Sequence, residues 1–182
     1  MNRTDAGTVA ADDQAQRERA VKTSIAACRR IAWIVMVVAD VGLLAWAAMA
    51  ALAPDLLIGP RSMPILPAGY QGFTGASWQA LAATSPRTTE YATLLFRMFG
   101  LYGTAFSLVA IAIAANGFRR GERWAWWALL VGNTITFVGA MAYDQIVRAV
   151  GPFELSEYLG LAAIYVVLAV TAPFTSRALS RR

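Results

Sequence analysis

The chain has no histidine and a single cysteine, Cys28, in 182 residues. Lack of histidine excludes His-ligated haem, most zinc sites and the commonest general base. A lone cysteine excludes an intramolecular disulfide and a CxxC redox centre, and with them thiol oxidation linked to a quinone. Lysine is almost missing, since only Lys22 among the 16 basic residues is not arginine. There is also no phosphate-binding glycine loop, no nucleophile–base pair and no metal-ligand spacing, so no cofactor is expected. Acidic residues number 11, which leaves a net charge of +5. That excess does not indicate nucleic acid, because the arginines stand at the ends of apolar runs, where membrane orientation puts them.

Apolar residues are abundant, at 58% of the chain, against about 45–50% in ordinary globular domains. They fall in four long runs, at 31–53, 91–116, 124–147 and 155–175. At 1.5 Å per residue each reaches roughly 30 Å, the thickness of a bilayer's hydrocarbon core. Backbone polar groups in lipid must be bonded within their own segment, so the runs must be helices. The expected fold is therefore all-α, a four-helix transmembrane bundle formed by residues 31–182. Residues 1–30 form a polar, partly disordered tail, with Asp12 or Asp13 starting a helix that leads into the first span. The tail is long for a signal peptide and the run after it is too long, so the first span is read as uncleaved.

Basic residues set the orientation. Arg3, Arg17, Arg19, Lys22, Arg29 and Arg30 precede span one, Arg119, Arg120 and Arg123 join spans two and three, and Arg177, Arg181 and Arg182 follow span four. Only Arg61, Arg87 and Arg148 lie on the other side. Both termini are expected in the cytoplasm, with a long extracytoplasmic loop between spans one and two. Its first part, 54–70, carries four prolines and is expected to be irregular. Its later part, TGASWQALAATSP, reads as a short helix capped by Thr74 or Ser77, with Trp78 and Leu81 on one face, able to lie on headgroups or cover the bundle. The tight connection NGFRRGERWAWW reads as topological and anchoring, its tryptophans belonging to an interfacial belt.

TGASW, SPRTTEY, LFRMFG and RRGERWAW, in that order between residues 54 and 130, are similar to small four-span bacterial proteins loosely grouped with DoxX-like membrane proteins. The resemblance implies a four-helix bundle in a bacterial inner membrane. It implies no activity and no catalytic residues.

Ionisable residues inside spans are costly and mark candidate sites. Arg97 lies in the outer part of span two and its side chain leans outward. Asp144 and Glu157 lie at the outer ends of spans three and four. Short loops make these helices neighbours, so Arg97 is expected to meet one or both acids. The group is either an anion site or a structural ion-pair network. Asp40 lies near the midplane, level with Asn133, and is expected to hydrogen-bond Asn133 or Thr104. Without a neighbouring cation, desolvation there favours the neutral acid. It reads as an interhelical hydrogen bond, or as a proton carrier or substrate ligand. Gly103 and Ser107 have small-xxx-small spacing, which suits close helix packing, with room for a lipid tail as the alternative.

Three functions remain open. The first is a non-enzymatic accessory protein or binder of lipid-like molecules, with membrane lipids, a protein partner or further copies of itself as partners. The second is an enzyme acting on a lipid-like or quinone-like substrate at Arg97, Asp144 and Glu157, covered by Trp78. The third is a small proton-coupled transporter centred on Asp40.

Overall fold

The computed structural model describes residues 3–58, 65–148 and 152–176. These form helices α1 (Arg3–Leu52), α2 (Asp55–Ile58), α3 (Ile65–Thr74), α4 (Trp78–Thr84), α5 (Pro86–Asn116), α6 (Arg123–Val147) and α7 (Pro152–Ser176), with a 3-10 turn at Phe118–Arg120 between α5 and α6. No strand occurs among the described residues.

Local sequence sets most of the ends. Pro54 follows α1 and cannot continue its hydrogen bonding. Ser77 caps α4, its side chain accepting from the Ala80 N–H, and Pro86 occupies the first helical position of α5, where its missing N–H costs nothing. Gly121 closes the 3-10 turn at φ 78°, a left-handed conformation that glycine adopts without strain. Two regions depart from expectation. The α1 helix starts at Arg3, well before the Asp12–Asp13 start read from sequence. The proline-rich segment, expected to be irregular, holds α2 and α3. Pro67 falls in the first turn of α3, where proline is tolerated.

The long helices form a ring in which α1 packs on α5 and α7, and α6 also packs on α5 and α7. Ala32 and Met36 of α1, Ala110 and Ala114 of α5, Ala125 and Leu129 of α6, and Ile164 and Leu168 of α7 share one buried cluster, closed at the turn by Phe118. Three of the helical segments, 19–52, 86–120 and 123–147, are long and apolar enough to cross a membrane, and α7 contains a shorter apolar stretch, 158–172.

At the α1–α5 seam the two backbones approach closely. A Cβ on Gly100 would lie 2.5 Å from the Ala51 nitrogen and 2.7 Å from the Ala47 carbonyl oxygen, and one on Gly103 would lie 3.0 Å from the Ala47 Cβ. Small residues let the backbones approach, which in lipid replaces the hydrophobic drive available in water. Sequence spacing at Gly103 and Ser107 anticipated this. Ser107 is fully buried and donates to the Gly103 carbonyl on its own helix.

The α6–α7 seam is polar. Trp126 Nε1 donates to the Leu168 carbonyl at 2.9 Å, Thr134 and Tyr165 hydroxyls lie 2.6 Å apart, and the Tyr158 hydroxyl donates to Asp144 at 3.1 Å. At the end of the bundle opposite the 3-10 turn, α3 presses on α6. A Cβ on Gly72 would fall 2.1 Å from the Val147 carbonyl oxygen and one on Gly69 3.0 Å from the Tyr143 hydroxyl. Helix α4 lies on α5.

Candidate functional site

The residues singled out by sequence separate into two levels of the bundle. Near the end covered by α3 and α4 are Arg97, Asp144 and Trp78. Asp144 is buried on α6 and accepts from Tyr158, the residue after Glu157 on α7. The Glu157 side chain itself lies outside the described residues. Arg97 is exposed on α5, and among the described residues it forms no ion pair with Asp144. The expected Arg97–Asp144 contact is therefore not made. The reason is the rotation of α5. Its small face, Gly100, Gly103 and Ser107, is taken up by α1. Arg97 is left beside the outward-facing Leu94, Met98 and Leu101. On the other side of Arg97, Trp46 of α1 packs edge-on against Phe96 and Phe99, with ring centroids 6.4 and 5.8 Å away.

Trp78 is half-buried, as is Leu81, while Gln79 and Ala80 between them are exposed. The Trp78 ring meets Tyr70 of α3 edge-on at 5.7 Å. Tyr70 was not a candidate from sequence, because α3 was not expected as a helix.

Asp40 and Asn133 lie deeper. Their exposures are 1% and 0%. The α1–α5 register set by Ala47 and Gly103 carries Asp40 to the level of Ala110. The α5–α6 register, set where Gly117 meets Ala125 and Gly132 meets Phe106, places Asn133 near Ser107, one turn further along. The expected Asp40 hydrogen bond to Asn133 or Thr104 is absent. Asn133 Nδ2 donates to the Leu129 carbonyl at 2.8 Å and Thr104 to the Gly100 carbonyl at 2.8 Å, each within its own helix. Local backbone acceptors compete well for such side chains. Asp40 Oδ2 and Asn133 Oδ1 are consequently buried with no hydrogen-bond partner. Buried polar atoms of this kind are uncommon and call for a physical account.

Among the described residues no cluster of His, Cys, Asp and Glu is arranged to hold a metal ion. The long apolar helices and their packing define the class, a helical membrane protein. No protein-family model, curated protein or solved structure matches the chain.

Proposed function

We propose that the chain is a four-span protein of a bacterial inner membrane that binds a lipid-like or small hydrophobic molecule without transforming it, acting alone or as an accessory to a protein partner or further copies of itself. In this reading both termini are cytoplasmic and α3 and α4 lie outside. Twelve basic residues against three support that orientation. The observation that carries the binding function is Arg97, a guanidinium on the outward face of α5 with no acidic partner among the described residues. About 20 residues span the hydrocarbon, and counting back along α5 from Asn116 reaches Arg97 at the outer headgroup boundary. A cation there, rimmed by Leu94, Met98 and Leu101, suits a ligand with an anionic head and an apolar body. Arginine's planar fork matches a phosphate or carboxylate on two oxygens.

The test is native mass spectrometry of the purified protein with its retained lipids, compared with Arg97→Ala and Arg97→Lys. The reading expects an anionic adduct that is lost in the first variant and partly kept in the second. An adduct pattern unchanged in Arg97→Ala would remove the site. Orientation is tested separately with Ser77→Cys in a Cys28→Ser background, where labelling only from the cytoplasmic side would overturn it.

A proton-coupled role is the second reading, favoured by the unpartnered Asp40 Oδ2. It expects a pH-dependent flux in vesicles that Asp40→Asn abolishes. The enzyme reading sets Arg97 to hold the substrate and Asp144 or Glu157 to move a proton; among the described residues Arg97 makes no ion pair with Asp144, and the Glu157 side chain lies outside them.

A further inference from the structure

The 3-10 turn end of the bundle gathers arginines from two distant parts of the chain. The connection between α5 and α6 supplies Arg119, Arg120 and Arg123, and α1 supplies Arg29 and Arg30, all exposed. They are brought together by packing, since α1 contacts the turn directly. The Arg29 guanidinium lies on Gly121, with Nη1 3.1 Å from where a Cβ would be and Cδ at 3.8 Å. The Arg119 guanidinium sits 5.1 Å above the Trp33 ring. The only acid in the connection, Glu122, accepts from Trp124 Nε1. None of Arg29, Arg119, Arg120 or Arg123 forms an ion pair with a described residue. Like charges held side by side repel, and Glu122, the acid among them, is engaged by Trp124.

The level at which they converge is equally specific. On α1 the apolar run begins just after Arg30, with Ile31 and Ile34 exposed. On α5 the apolar run ends at Asn116. On α6 it begins at Trp124, and Trp124 and Trp127 are exposed. All three helices change from polar to apolar surface at the height of the guanidiniums. A free anion would need only the charges. The adjoining apolar faces and tryptophans suit a ligand whose charge is fixed to a hydrocarbon body lying along the helices. The α6 N-terminus also opens here with no side-chain cap, adding a partial positive charge.

We infer that Arg29, Arg119 and Arg120 bind the phosphodiester of an anionic glycerophospholipid, whose acyl chains run along the apolar helix surfaces beside the turn. The inference rests on the membrane reading of the bundle, but neither on its sidedness nor on Arg97. Two of the guanidiniums are pre-positioned, Arg29 by Gly121 and Arg119 by Trp33, so less freedom is lost on binding than with unrestrained surface charges.

The experiment uses the full chain, stripped of lipid in detergent and titrated with phosphatidylglycerol or phosphatidylcholine of the same chain length, with bound lipid read by native mass spectrometry. Phosphatidylglycerol is expected to bind about tenfold or more tightly than phosphatidylcholine, on the scale of two basic side chains near a lipid phosphate. Arg29→Gln with Arg119→Gln should lower phosphatidylglycerol affinity by about the same factor and lower that of phosphatidylcholine, whose choline cation offsets its phosphate, by much less. Arg97→Ala should leave this preference intact, which separates the inference from the outer-leaflet reading. Arg120→Gln, at an exposed position, gives a fold-neutral variant with an expected loss of about threefold or more. Equal affinity for the two lipids, or no loss in Arg120→Gln and the double variant, would overturn the inference. So would full displacement of the lipid by millimolar inorganic phosphate, which would identify a soluble anion as the ligand.

Discussion

Replacing Gly100 by alanine tests the α1–α5 seam directly. The added Cβ would stand 2.5 Å from the Ala51 nitrogen, against 3.4 Å for an ordinary contact, so the helices must separate locally by about 0.9 Å. The atoms it meets, Ala51 N, Ala47 O and Ala50 C, are all backbone, with no rotamer that can retreat. Overpacking of this kind costs about 1–3 kcal/mol, and rigid neighbours place Gly100 at the upper end. Alanine recovers up to about 1 kcal/mol of helix propensity. The expected net loss is about 2 kcal/mol, roughly a thirtyfold shift in the unfolding equilibrium. Gly42→Ala is the matched control. It makes the same chemical change in α1, but nothing lies within 4 Å of its Cβ, so stability should be unchanged or raised by up to about 1 kcal/mol. Both variants are measured by reversible denaturant unfolding in one detergent, monitored by far-UV circular dichroism. If Gly100→Ala proves as stable as Gly42→Ala, the backbone approach at this seam is wrong.

Trp126→Phe removes the indole hydrogen bond to the Leu168 carbonyl and should cost about 0.6 kcal/mol, the average for interhelical bonds in membranes, in the same unfolding assay. A double-mutant cycle with Thr134→Val and Tyr165→Phe should give a coupling of about 0.6 kcal/mol and no more than about 1.7, and a coupling of zero would mean that the two hydroxyls do not bond. Gly121→Ala forces a side chain into φ 78° against Arg29 and should lower stability by about 1–2 kcal/mol, whereas Gly139→Ala, with open space around it, should not.

The sequence is most readable where one property acts along a whole segment. Run length announced α5 and α6, because nothing but a helix keeps 20 apolar residues bonded in lipid. The α5 seam was also readable, since small residues at Gly103 and Ser107 leave few other uses. Rotation about the helix axis was not. Loop length made α5 a neighbour of α6, and that adjacency is present, but it does not say which face of α5 turns inward. The stronger preference, the close approach of Gly100 to Ala47 and Ala51, turns Arg97 away from Asp144. The burial of Asp40 and Asn133 followed from their positions on apolar helices. Their lack of a shared hydrogen bond did not, because Asn133 satisfies its amide on the Leu129 carbonyl of its own helix. Helix α3 was hidden by counting prolines without their phase, since Pro67 falls in the one turn that accepts it.

The seam between α1 and α5 also orders events at the ribosome. The two helices are separated in the chain by 33 residues, 53–85, and α5 adds 31 more. At roughly 5–20 residues per second, several seconds pass between the synthesis of Leu52 and that of Asn116. Throughout that interval the face of α1 that carries Asp40 has no α5 to cover it. The newborn helix must hold a carboxyl group in the translocation machinery or in bare lipid until its partner emerges.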